Sequence, residues 1–262
     1  RPPRSTLFPY TTLFRSASYP FLAALAARGE ADAFDATLST ALRNSLAIII
    51  PLSAWMLLAA EPTMRLIFQG GGFAAAETLA SAPLLRVMLC GVAFWAVQQV
   101  VGRAFYAHQD TVTPAVVGTL ATLAALPLYV LAGRAGTHGT LGVAAAGTVA
   151  VAVYTVALAL VWRKRHGKAG LSGIIGCCVQ SSALCAAAAL PAWPVLAYAP
   201  LLAPASPAGQ LWGAFLALAA SGPVFAVAYL LLARRFSPDV AEPVLARLRP
   251  LLARLRGGRQ NG

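Results

Sequence analysis

From residue 17 onward the chain alternates long apolar runs with short polar connections, and charge is confined to the ends of the runs. The run from Leu46 to Ala60 is typical. It carries no charge, has Pro51 inside and Arg43 at its mouth, and with its flanks it is long enough to cross a bilayer. The runs are continuous rather than alternating, which fits helices and not the strands of a barrel. The pattern predicts six complete spans, at about Leu42–Ala60, Pro83–Phe105, Ala115–Ala132, Leu141–Trp162, Ile174–Leu196 and Leu211–Ala233. Ahead of them, Ala17 to Arg28 reads as the last turns of a truncated span. Gly29 to Ser39, with Glu30, Asp32 and Asp35, reads as an amphipathic helix on the membrane surface. The fold class expected is therefore all-α, a polytopic helical membrane protein.

Composition strengthens this reading. Hydrophobic residues make up 59% of the chain and charged residues 11%, with a mean hydropathy of +0.71, far from the balance of a soluble domain. The net charge of +12 does not point to nucleic acid, because Lys and Arg sit between the apolar runs and in the tail. Sorted by alternate ends of the spans, fourteen basic residues fall on one side, and only Arg65, Arg86 and Arg134 on the other. The positive-inside rule makes the first side cytoplasmic.

The two ends of the chain stand apart. Residues 1–16, RPPRSTLFPYTTLFRS, have no initiator Met and two TLF triplets, and they resemble a translated sequencing-adapter scar; they are set aside. The tail, residues 234–262, carries LARLRPLLARLR and places Val244, Leu245, Leu248, Leu251, Leu252 and Leu255 on one stripe beside Arg247, Arg249, Arg254 and Arg256. Such a helix lies on an anionic membrane face, and Pro250 would kink it.

Few residues offer chemistry. Arg43 could clamp a phosphate with its guanidinium fork, or could snorkel to headgroups. Gln98, Gln99 and Arg103 lie on one span, with Gln99 and Arg103 on one face, and could line a polar cavity or bond across helices. Asp110 in YAHQDT reads as a helix cap or turn residue. His108, His138 and His166 fall in three separate connections, so no metal site is expected. The four cysteines fall inside spans without metal-ligand spacing. There is no nucleotide loop, no GxSxG and no acidic residue in the third to sixth spans, and no cofactor is expected.

Taken together, ALR…P in the first span, AEP…RLIFQGGGF after it, and GRAFYAHQDTVTP before a Gly/Ala span that ends in RKRHGK resemble the MurJ (MviN) family of lipid II flippases. That family belongs to the multidrug/oligosaccharidyl-lipid/polysaccharide exporter superfamily. The resemblance covers roughly Ala17 to Lys168, and the last two spans only in layout. It implies a transporter and not an enzyme: the C-terminal part of a fourteen-span protein of the bacterial inner membrane. Residues 17–168 would be second-lobe helices and 169–233 an additional helix pair. The missing N-terminal lobe would be a partner, lipid II the substrate, and anionic lipids the partner of the tail. The resemblance also matches Arg43 to an essential cavity-facing arginine of the family, with Gln99 and Arg103 as further substrate-binding candidates. Some members hold sodium with acidic or Asn ligands, and the third span here, AVVGTLATLAALPLYVLA, has neither. By itself the fragment is not expected to transport. The rival readings are an exporter of another lipid-linked polysaccharide or of drugs, and a non-transporting membrane scaffold.

Overall fold

The computed structural model describes residues 19–69, 75–134, 139–204 and 206–246. Among them are eight helices of a full turn count: α1 (Tyr19–Ala27), α2 (Ala31–Leu58), α3 (Ala60–Phe68), α4 (Ala75–Ala107), α5 (Val112–Gly133), α6 (Gly139–His166), α7 (Ile174–Tyr198) and α8 (Pro207–Phe236). A short helix, α9, follows over 238–246. Six of these elements are long and apolar enough to cross a membrane. The segment set aside as a scar, 1–16, lies outside the described residues, as does His138.

The helices run beyond the spans read from the pattern, for local reasons. The segment expected as a separate surface helix is the first third of α2. No Gly or Pro interrupts the chain between Ala31 and Pro51, so the helix has no reason to stop. Phe34, Leu38, Leu42 and Leu46, at steps of four, form one fully buried stripe. The turn comes earlier, at Gly29, whose φ of +71° suits glycine. α4 likewise starts eight residues before Pro83, and its extra turns are anchored by buried Thr78 and Ala82. α3 was not anticipated. It forms because Pro62 sits in its first turn, where the missing N–H costs nothing, and because Glu61 pairs with Arg65 at 2.8 Å.

α2 is the hub. Its Leu38 and Leu42 pack with Val101, Phe105, Leu158 and Trp162 of α4 and α6, while Leu46 and Ala47 pack with Cys177, Leu184 and Tyr229 of α7 and α8. Polar atoms join the helices where no water is available to do so. Thr148 and Thr155 of α6 place their hydroxyls 3.0 Å from the Val87 and Phe94 carbonyls of α4. Tyr154 donates to the Pro114 carbonyl of α5 at 3.0 Å, and Trp55 of α2 donates to Ser221 of α8 at 3.2 Å. Close approach at these seams uses glycine: a Cβ on Gly118 would come within 3.2 Å of the Tyr154 ring. Every long helix carries a proline in its body except α6.

The start of the tail does not lie free on a surface. Val240 and Ala241 of α9 are buried and join the α2/α7/α8 core, with Leu245 packed against it. The arginine-bearing stripe beyond residue 246 lies outside the described residues.

Candidate functional site

A polar groove interrupts the apolar outer face where α4, α5 and α6 meet. Its upper part is a cavity of about 490 Å³ lined by Gln98, Gln99, Arg103, Tyr106, Thr111 and Tyr154, among others. A second cavity of about 440 Å³ shares Tyr106, Pro114 and Tyr154 with the first and continues past Thr119 and Thr122. Three helices place these groups. α4 brings Gln99 and Arg103 to one face, four residues apart. α5 supplies the threonines, whose hydroxyls bond back to Ala115 and Gly118 carbonyls at 2.9 Å. α6 supplies Tyr154, fixed by its bond to Pro114. The Gln98 side-chain oxygen is buried without a hydrogen-bond partner among the described residues.

The rim of the groove is a rigid corner. Asp110 caps α5 as its position in YAHQDT predicts: one carboxylate oxygen accepts the Thr113 N–H at 2.9 Å, and the other accepts the Thr113 hydroxyl at 2.6 Å and Arg165 at 2.7 Å. The hydroxyl and N–H bonds from Thr113, with the Arg165 charge, hold the Asp110 carboxyl below the usual range. Just before it, Gln109 has a φ of +59°, which lets the chain reverse between α4 and α5.

The residues singled out from the sequence separate. Gln98, Gln99 and Arg103 share the groove. Arg43 is exposed at the α2–α7 seam instead and is not among the groove's lining residues. There its side chain lies beside Gly173, where a Cβ would come within 3.2 Å of Arg43 Cδ, and its carbonyl accepts from the Cys177 thiol at 3.7 Å. Sequence reasoning missed Tyr106 and Tyr154. The one signal for Tyr154 is a lone aromatic hydroxyl in a span otherwise built of Gly, Ala, Val, Leu and Thr up to its terminal Trp162.

The sequence matches the family model of the Lipid II flippase MurJ over residues 7–203, well over half of the chain. The chain belongs to the MurJ lipid II flippase family. The match begins inside the N-terminal segment set aside above and runs through α7, beyond the resemblance read from the motifs. A curated MurJ lipid II flippase from Thermosipho africanus (strain TCF52B) is 26% identical over 117 residues, which is 45% of this chain and 24% of that protein. A solved structure of a MurJ lipid II flippase in an inward closed conformation superposes with a TM-score of 0.60 at 20% identity. It covers 87% of this chain, and the chain spans 44% of that structure's length. At that identity the likeness speaks for the MurJ fold, and the helical membrane-spanning architecture agrees with it.

Proposed function

We propose that the intact protein moves undecaprenyl-diphosphate-linked peptidoglycan precursor from the inner to the outer leaflet of the bacterial cytoplasmic membrane. The observation that carries this reading is the groove: a guanidinium, two amides and two phenol rings gathered beside helices that otherwise face outward with Leu and Val. Such a set binds a polar, anionic headgroup while its lipid tail stays in the bilayer. Residues 17–168 then belong to the second lobe of a two-lobed exporter, 169–233 form an additional pair, and alternating access comes from rocking of the lobes. Arg234 and Arg235, with the basic tail after them, sit at the cytoplasmic face among anionic lipids.

No covalent bond changes in this step, so the free energy comes from the gradient across the membrane. A diphosphate with roughly two negative charges gains about 2.3 kcal/mol per charge per 100 mV on moving outward. The total, on the order of 4–5 kcal/mol, is enough to bias a transport cycle.

The test is complementation of a flippase-depleted strain with a full-length protein carrying these residues. Arg103→Ala and Gln99→Leu should each impair growth at native expression level, and Arg43→Ala should abolish it. Arg43→Lys should retain part of the activity, since it keeps the charge but loses the fork. Normal complementation by Arg103→Ala and Gln99→Leu would refute the groove as the site, and normal complementation by Arg43→Ala, which lies outside the groove, would make that residue an interfacial anchor only. Rescue of drug export but not of wall synthesis would favour the multidrug alternative.

A further inference from the structure

The histidines that the sequence places in different connections meet at one end of the bundle. His108, just past the end of α4, and His166, the last residue of α6, have ring centroids 4.7 Å apart. Trp162 stacks face-on against His166 at 4.1 Å, and Phe34 of α2 meets His108 edge-on at 4.6 Å. His108 Nδ1 lies 3.1 Å from the Ala104 carbonyl, which fixes its tautomer when neutral. His166 Nδ1 and Trp162 Nε1 are buried with no hydrogen-bond partner, and Trp162 is fully buried. Beside them is a cavity of about 290 Å³ that also touches Glu30 and Asp35, so protons from solution can reach the rings.

The charged groups around this pair are few and mostly committed. Asp110 is held by Thr113 and Arg165, and Glu30 lies 3.9 Å from Arg28. Asp32 and Asp35 come from α2, and Arg165 from α6; His166 feels His108, Arg165, Asp35 and Asp110. Asp35 is thus the carboxylate left to face the two imidazoles. It is half-buried, and a Cβ on Gly170 of the α6–α7 turn would come within 2.7 Å of its Oδ1 and 3.4 Å of Trp162 Nε1.

We propose that His108 and His166, with Asp35, form a protonation-sensitive clasp that fastens the start of α2 to the ends of α4 and α6. Burial disfavours the His166 imidazolium, and the Asp35 carboxylate and the Trp162 face offset that cost for a first proton. A second proton is not accommodated, because two cations with ring centroids 4.7 Å apart would then face each other inside aromatic walls, with Asp35 as the uncommitted counter-charge in their neighbourhood. The clasp is closed with one proton or none, and opens with two. Burial pushes the His166 imidazole below its ordinary value, so acidification of the compartment bathing this end is the signal the clasp reads. This device is independent of the transported substrate.

The test is a histidine titration of the whole chain in detergent micelles by NMR with ¹³C-labelled histidine, using His138→Asn to remove the third signal. Both remaining signals should move in two steps separated by about one pH unit or more, each ring reporting the other's step. Asp35→Asn should shift the first step to lower pH. Amide protection factors over 31–38 should fall by about tenfold between about pH 7.5 and about pH 5, and His108→Gln/His166→Gln should abolish the fall. One-step titration at a common midpoint would overturn the coupling. Two-step titration with unchanged protection would overturn the opening, as would acid-induced loss of protection persisting in the double variant. An unshifted first step in Asp35→Asn would remove Asp35 from the device.

Discussion

Removing α9 tests whether the start of the tail is part of the fold or an accessory to it. The pattern reading made the tail a helix lying on the membrane surface. The structure buries Val240 to 3% exposure and Ala241 to 2%, and packs Leu245 against the same core. A fully buried Val contributes about 1.5–3 kcal/mol over an exposed one, so with Ala241 and half-buried Leu245 the segment contributes on the order of 4 kcal/mol. That is an upper figure, because detergent or lipid can cover part of the seam that α9 leaves. Val240→Ala removes two methyl carbons, worth about 2 kcal/mol with the residual cavity included. The assay is thermal unfolding followed with a thiol-reactive dye. Buried Cys177 and Cys185 report the α2/α7/α8 core, and exposed Cys90 gives the baseline. Truncation after Phe236 should lower the midpoint by more than Val240→Ala does, and should speed labelling of Cys177 and Cys178 below the transition. A truncated protein that melts like the full chain, with labelling no faster, would refute the reasoning.

Two further outcomes follow from the seams. Thr155→Val in α6 should weaken the α4–α6 contact by only about 0.6 kcal/mol in detergent unfolding, because the hydroxyl proton is shared with the Val151 carbonyl at 2.8 Å and no acceptor is orphaned. A loss several times larger would mean that the bond to Phe94 dominates. Asp110→Ala should cost about 1 kcal/mol by removing the α5 cap. Because the folded-state carboxyl lies below its ordinary value, this contribution is full above the usual carboxylate range. It is lost only as pH falls through the lowered folded value, so wild type and variant should converge in strong acid and differ at neutral pH. Equal acid sensitivity at all pH values would contradict the cap.

What the sequence could reveal depended on the distance over which the signal acts. Spans are local and additive: twenty apolar residues declare themselves, and all six were legible. Boundaries were less so, because hydropathy stops at Asp35 while the helix does not. It is the Phe34–Leu38–Leu42 stripe, meeting α4 and α6, that makes the polar first third of α2 part of the bundle. α3 hid because its nine residues, AEPTMRLIF, contain a proline and two charges. The groove was half visible, since Gln99 and Arg103 share a helix face, whereas Tyr154 joins them from 51 positions further on by tertiary packing. For the same reason His108 and His166 looked unrelated. Their meeting needs α4 and α6 to end at the same level, which no local pattern encodes.

The prolines have a mechanical consequence. In α2, α4, α5, α7 and α8, a missing N–H leaves one rung of the helical ladder open, so these five helices can bend at Pro51, Pro83, Pro127, Pro191 or Pro194, and Pro223 at little elastic cost. α6 has no proline, is clasped to α4 at mid-length by Thr148 and Thr155, and carries α5 on its other flank through Tyr154. The bundle is therefore a stiff mast with pliant spars. Strain arriving at either end is absorbed as curvature in the proline helices, while the distance between the two ends of α6 stays constant.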